Sequence, residues 1–401
     1  MFSEFYINRD SKGKIRCVNL SYNKEERGYV IHRFTWQHRG KRIEQPEIVI
    51  TEGKVKRDIE AQCELRVNAL GREYQSKGYK LIDKDPDTYT EEYLDSILPK
   101  YNTDANGFAK HMLAKPANKV KKSTIDKVKY WYASRKIDGL RASFYWDGKR
   151  IHSASRGGKD YDLALRHFLE NDKLIEYFKN HPDIVLDGEL YKYGKSLQQI
   201  SGAARLERNV FDCDWLEYYV YDIMIPDVPF SERLKILIEL AKELHIGFDP
   251  YHEFKDGELK MQIVPQIKVS GYDNIMKLHN KYVEEGWEGV VCRDPRSEYK
   301  FGARGNSMIK FKMYRDDCFK VIGIEPGLRG SEDMVFILET EDGNQFKAKP
   351  LGDRATKEEY FENFESKYKG KIGECKFFYY SDEGIPLQPA FKCFRFDLNE
   401  C

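Results

Sequence analysis

The chain lacks any apolar run approaching the roughly 20 residues a membrane helix needs. Its first ten residues, Met1 to Asp10, carry charged and polar groups where a signal peptide would hold its apolar stretch. The expectation is a soluble intracellular protein with no membrane partner. Net charge is nearly absent as well. With 67 basic and 66 acidic residues the formal charge is +1, too little for the whole molecule to steer a polyanion. Any nucleic-acid surface must then be a local basic patch balanced by acidic faces elsewhere. The eight cysteines (17, 63, 213, 292, 318, 375, 393 and 401) include no CxxC pair. That argues against a structural zinc site and fits reduced thiols in a cytosol-like compartment. Internal repeats and low-complexity tracts are also missing.

What is present is enough apolar residue, 41% of 401, to bury real cores, and a length that suggests two or three domains. The expected class is a multidomain α/β and β protein. Residues 1–83 read as a small α+β domain: alternating runs at Gly28–Phe34 and Glu47–Thr51 predict strands. Ile59, Cys63, Val67, Leu70 and Tyr74, spaced by three and four, predict a helix over Val55–Lys77. Residues 84–107 read as a linker with a short helix at Thr90–Leu98. From 108 to 313 strands and helices alternate, with helices expected at Leu163–Asn180, Glu232–Leu244 and Asn274–Glu285. From 316 to 401 the pattern turns β-rich around one helix, Lys357–Lys367, which fits a five-stranded OB-type barrel.

The informative residues are few and ordered. Lys136 opens a Lys-x-Asp-Gly turn after a predicted strand, with Arg141 five residues on. There follow Ser155-Arg156-Gly157, Asp187-Gly-Glu189-Leu190, Tyr219-Val-Tyr221-Asp222, Glu288-Gly-Val-Val291 and Lys310-Phe-Lys312. A lysine that attacks phosphorus must first lose its proton. From a reference pKa of about 10.4, only about one in 2,500 is neutral at pH 7, a handicap of roughly 4–5 kcal/mol unless cations or burial lower it. Lys310 and Lys312, two apart on a predicted strand, share a face and are candidates for that help.

Those six segments resemble motifs I, Ia, III, IIIa, IV and V of the covalent nucleotidyltransferase superfamily, which comprises ATP-dependent DNA ligases, RNA ligases and mRNA capping enzymes. The likeness runs from about Phe108 to the C-terminus, and His111-Met-Leu-Ala-Lys-Pro116 resembles the lead-in to a DNA-ligase catalytic domain. It implies an ATP-grasp-like adenylation domain followed by an OB-fold, ATP as cofactor and nicked duplex DNA as partner. It implies lysyl-AMP on Lys136, with Lys310 and Lys312 at the α-phosphate and Glu189 near the ribose. Glu288, and with it Glu189, would hold Mg²⁺, which prefers oxygen donors. Tyr221 would stack on adenine, and Arg141 and Arg156 would contact sugar and phosphate. Asp187 is open between structural and site roles, as is Asp138 between orienting a group and forming an Asp-Gly turn. Gly139, Gly157 and Gly289 are expected to let backbone approach the nucleotide.

Near the end, Pro386-Leu-Gln-Pro-Ala-Phe-Lys-Cys-Phe-Arg395-Phe-Asp397 is similar to motif VI, where Arg395 would orient pyrophosphate. The family continues with a basic residue, but Leu398 stands here, so either Lys392 or another cation substitutes, or Arg395 is the main group that orients pyrophosphate. Arg329 in the Gly327-Leu-Arg-Gly330 loop is a candidate DNA contact. The first domain vaguely resembles the WGR domain of some DNA-break-responsive enzymes, through Trp36 and the basic residues after it, although the adjacent Gly-Arg is absent. Lys41, Arg42, Lys54, Lys56 and Arg57 would form its DNA-backbone patch. The expected enzyme is a monomeric DNA ligase. An RNA ligase, an mRNA guanylyltransferase and an inactive nucleic-acid-binding relative are the alternatives.

Overall fold

Alternating apolar residues build the first sheet. The computed structural model describes residues 2–54, 56–104, 106–206, 213–327, 330–378, 380–381 and 383–398. In it β1 (Phe2–Arg9), β2 (Ile15–Glu25), β3 (Gly28–Gln37) and β4 (Ile43–Ile50) form antiparallel neighbours. β5 (Lys80–Ile82) pairs with the free edge of β1, so the order is β4-β3-β2-β1-β5. Both faces carry apolar side chains, so both need a cover. On one face Tyr6, Val18, Leu20 and Ile31 pack against Cys63, Val67 and Leu70 of α1 (Ile59–Ser76). This helix starts four residues later than predicted, because Asp58 is the residue able to cap it, its carboxylate accepting from the Ala61 N–H at 2.7 Å. On the other face Ile7, Cys17 and Trp36 pack against Leu94 and Leu98 of and beside α2 (Glu91–Ile97). The predicted linker at 84–107 is therefore corrected: its first half belongs to the core of the first sheet.

Two further five-stranded sheets follow. The strands are β6 (Leu113–Pro116), β7 (Trp131–Lys136), β8 (Leu140–Trp146), β9 (Ile151–Ser155), β10 (Val185–Tyr191), β11 (Glu217–Ile223), β12 (Met261–Ile263), β13 (Ile267–Val269), β14 (Gly289–Arg293) and β15 (Arg304–Lys312). They assemble in the orders β12-β11-β10-β8-β9 and β13-β7-β14-β15-β6. Around them lie α3 (Lys122–Asp126), α4 (Arg166–Leu169), α5 (Asp172–Asn180), α6 (Leu197–Ala204), α7 (Phe230–Glu243) and α8 (Tyr272–Glu284). The single helix predicted over Leu163–Asn180 is two, because Asn171 leaves helical geometry and caps α5 through the Leu174 N–H.

The last strands, β16 (Arg315–Gly327), β17 (Gly330–Glu339), β18 (Gln345–Pro350), β19 (Ile372–Phe377) and β20 (Ala390–Phe394), close into a barrel in the order β16-β17-β18-β20-β19. Phe336, Phe377 and Phe391 are fully buried in its core. α9 (Arg354–Glu362) begins at the Asp353 cap, three residues ahead of the prediction, and is followed by one wide turn at Phe364–Tyr368. The chain divides into two compact units rather than three. One comprises residues 1–276 and 291–310, and the other 277–290 and 311–401.

Candidate active site

Lys136 is the last residue of β7, and the turn after it leads directly into β8. That turn is pressed onto β10. A Cβ built on Gly139 would lie 2.1 Å from the Leu190 carbonyl oxygen and 2.9 Å from Glu189 Cγ, so only glycine fits. Gly157 differs: a Cβ there would meet no protein atom within 4 Å.

β10 supplies the neighbouring acids. Glu189 is the register partner of Arg141 on β8, and its Oε2 accepts from the Tyr221 hydroxyl at 3.2 Å. Burial holds the Tyr221 phenol well above its usual range, so it donates rather than ionises. The Tyr221 ring is flanked by guanidinium groups, with Arg293 Cζ 5.0 Å and Arg141 Cζ 5.8 Å from its centroid.

Arg141 is committed elsewhere than expected. Its Nε and Nη2 lie 2.8 and 2.5 Å from the two Asp187 oxygens, and its Nη1 donates to the Met112 carbonyl at 2.7 Å. Asp187, 1% exposed, also accepts from the Tyr299 hydroxyl at 2.6 Å. Burial pushes the Asp187 carboxyl up, but Arg141 and Tyr299 outweigh it and hold the group below the ordinary aspartate range. Both Asp187 oxygens are thus engaged by neighbouring side chains. Nearby, His111 is buried against Ser143, and desolvation depresses its imidazole to about 4. It is neutral at pH 7.

Lys136, Arg141, Arg156, Glu189, Tyr221 and Lys310 all line one cleft of about 1130 Å³. Leu113, Val291 and Met308 give it an apolar wall, and cations outnumber the two carboxylates, Asp160 and Glu189. Such a cleft suits a flat apolar base carrying an anionic tail. Asp138 is not among its walls. Arg293, Lys159 and Arg205 do line it and were missed. Arg293 had a signal: alternation along β14 places it on the same face as Val291. Arg205 follows α6 with no motif to mark it.

The second unit holds the remaining residues of motifs IV to VI. Gly289 sits at φ +144°, and a Cβ there would meet the Phe311 carbonyl oxygen at 2.2 Å, a close approach of backbone to backbone. Glu288 and Lys312 form an ion pair, with side chains 7% and 11% exposed, and the Lys312 ammonium lies 3.8 Å from the Phe378 ring centroid. Arg395 donates to both oxygens of Asp397 at 2.9 and 2.7 Å and to Glu374 at 3.0 Å. Lys392 shares Glu374 and lies 3.2 Å from Asp316. Both candidate motif VI cations are thus paired with acids on the barrel. The Leu398 backbone N–H closes a turn onto the Arg395 carbonyl.

A divalent ion has oxygen donors here but no cage. No trio of His, Cys, Asp or Glu ligand atoms converges at the cleft among the described residues. That donor set suits Mg²⁺, which keeps water and takes one or two carboxylates together with substrate phosphates.

The basic residues of the first domain do not form one patch. Lys41 and Arg42 precede β4 while Lys54, Lys56 and Arg57 follow it, so eight residues of strand separate them by about 25 Å. Arg42 is bound to Asp85 and Asp87 at 2.6 and 3.1 Å and stacks 4.3 Å from the Trp36 ring. Trp36 is 2% exposed and donates to Asp87, which makes it a core residue. Lys54 lies 3.9 Å from Glu52, and Arg57 donates to Gln62 at 3.1 Å. Arg329 lies outside the described residues.

The ATP dependent DNA ligase domain matches residues 111–312. The DNA ligase of African swine fever virus is 24% identical over 293 residues, or 69% of this chain. The match takes in 66% of the viral protein, so the chain spans just under two thirds of that relative's length. The DNA ligase of Archaeoglobus fulgidus is 26% identical over 189 residues, 44% of this chain and 31% of that protein. A solved structure from a study of Lig E DNA ligases and DNA binding with a minimal scaffold superposes with a TM-score of 0.54 at 20% identity, over 72% of this chain and 100% of its own. At that identity the likeness establishes a shared fold.

Proposed function

This chain belongs to the ATP-dependent DNA ligase family, and on that premise we propose that it seals nicks in duplex DNA, as a monomer, at the expense of ATP. The observation that carries the reading is Lys136 at the end of a strand, in a mixed apolar and cationic cleft shared with Glu189, Tyr221, Arg156 and Lys310. A binding module has no need of a lysine held at the lip of a nucleotide-sized cleft.

In the first step the Lys136 nitrogen attacks the α-phosphorus. The N–P bond forms, the bond to the β-phosphate oxygen breaks, and pyrophosphate leaves. The AMP group next passes to a 5′-phosphate at the nick, which restores the free lysine. The 3′-hydroxyl then attacks that phosphate, AMP leaves, and the strand is closed. Lys310, lining the same cleft as Lys136, meets the phosphate as charge develops. Tyr221, locked by Glu189 and Arg293, offers the ring on which the base rests, and Arg156 is the phosphate or sugar contact. We assign Arg141 a positioning role through Asp187. Glu189 is the cleft carboxylate that would hold Mg²⁺, whose chemistry is to neutralise charge on the polyphosphate. We read the closed barrel as an OB-fold that faces nucleic acid, with Arg395 as its phosphate cation, and keep Lys312, the last residue of β15, as a nucleotide-phosphate cation.

Incubation with α-labelled ATP or GTP and Mg²⁺, followed by a denaturing gel and a chase with nicked DNA, tests the reading. A band labelled by ATP that chases into sealed DNA supports it. Label from GTP, sealing confined to RNA, or no label at all overturns it in favour of a capping enzyme, an RNA ligase or an inactive relative respectively.

A further inference from the structure

The first domain carries a constellation that the ligase reaction does not use. His32 on β3 faces Glu44 and Glu47 on β4, its Nδ1 lying 3.3 Å from Glu44 Oε1 and 3.5 Å from Glu47 Oε1. Residues three apart on a strand ordinarily point to opposite faces. Here Ile31 pairs with Ile48 but Arg33 with Gln45, so a β-bulge sets Pro46 and Glu47 opposite the single residue His32. The bulge turns both glutamates to the imidazole's face. Among the described residues, this is where three His, Cys, Asp or Glu ligand atoms lie within 4.8 Å of one another.

The hydrogen bonds around the ring decide its tautomer. Asn23 Nδ2 donates to Glu25 Oε1 at 3.3 Å, which turns Asn23 Oδ1 toward His32 Nε2 at 2.8 Å. Nε2 must therefore carry a proton and donate. Nδ1 then presents either a lone pair or a second proton to two carboxylates. Three acceptors converging without a cation would repel, so the site calls for a proton or a metal ion. The shorter contact, to Glu44, is within hydrogen-bond reach, although both are longer than the about 2.7–2.9 Å of a charge-assisted N–H to carboxylate bond. Donors about 2.1 Å from a tetrahedral zinc stand about 3.4 Å apart, which matches both. Arg27 anchors Glu47 through its other oxygen at 2.6 Å and leaves Oε1 for the ion. Asn23 plays the outer partner that ligating histidines require.

We propose that His32, Glu44 and Glu47 bind a borderline divalent transition metal such as Zn²⁺, with water in the open fourth position. Binding places the ion on Nδ1 and displaces any proton held there.

The test is titration of the chelator-stripped full chain with ZnCl₂ against a chromophoric chelator, with X-ray absorption of the loaded protein. The expected result is one equivalent bound through nitrogen and oxygen, weakened about tenfold or more in His32→Asn and in Glu47→Gln, and in Asn23→Ala by about tenfold. Far-UV circular dichroism checks that each variant is folded. Equal binding by wild type and both ligand variants, sulfur in the coordination sphere, or no binding would overturn the proposal. The last outcome would leave a proton on Nδ1 as the bridging cation. ATP labelling of Lys136 is expected to be unchanged in all three variants.

Discussion

Arg141 and Asp187 stand diagonally across β8 and β10, two residues out of register, and the guanidinium closes on the carboxylate at 2.8 and 2.5 Å. Because Arg141 is also the register partner of Glu189, this buried pair ties the strand after the Lys136 turn to the strand that carries Glu189 of the cleft. Pairs of this kind hold geometry more than they add stability, since desolvating two charges costs nearly what their attraction returns.

Removing one partner of that pair leaves the other charge buried alone. Arg141→Met or Asp187→Asn should each cost about 3–5 kcal/mol, read from urea unfolding. Arg141→Met combined with Asp187→Leu should recover much of the loss. Additive destabilisation in the double variant would show that the two residues act independently.

Lys136→Ala should leave stability within about 0.5 kcal/mol of wild type, as expected of a residue outside the core, and abolish ATP labelling. Binding to a nicked duplex should persist in a gel-shift assay. Loss of binding together with labelling would show that the lysine supports the fold rather than the chemistry.

His111 predicts a pH dependence. Burial, aided by the nearby Arg141, lowers its pKa from 6.5 to about 4. The unfolded chain therefore takes up this proton first, and the contribution of His111 to stability is full above about pH 6.5 and lost as pH falls toward 4. The slope is at most about 1.4 kcal/mol per pH unit. His111→Gln should flatten that part of the unfolding profile, and an unchanged slope would exclude His111 as its source.

Gly139→Ala forces a methyl against the Leu190 carbonyl, so the turn must shift. A displacement of about 1 Å at Lys136 is enough for a loss near 100-fold in labelling rate. Gly157→Ala, which meets open space within the protein, should be as stable as wild type. Equal rates in wild type and Gly139→Ala would mean that the turn tolerates movement.

Much of the fold was legible because alternation and helical spacing are local signals. The helix expected at Glu232–Leu244 lies within two residues of α7, Phe230–Glu243. The errors cluster where a cap overrides periodicity, at Asp58, Asn171 and Asp353, and where a segment's fate depends on what it covers. Leu94 and Leu98 look like a linker's apolar residues until Trp36 needs a lid.

The sequence alone determined that Lys136 ends a strand at a glycine turn, and that Arg156, Glu189, Tyr221 and Lys310 follow in an order matching one superfamily. Those are statements about spacing, and spacing is written in the chain. Only the tertiary structure decided which charges are spoken for. Arg141 went to Asp187, Arg42 to Asp85 and Asp87, Lys312 to Glu288, and Arg395 to Glu374 and Asp397. A charged side chain takes the partner that strand register and burial bring within about 3 Å, and residues tens of positions apart acquire that proximity only when the sheets assemble.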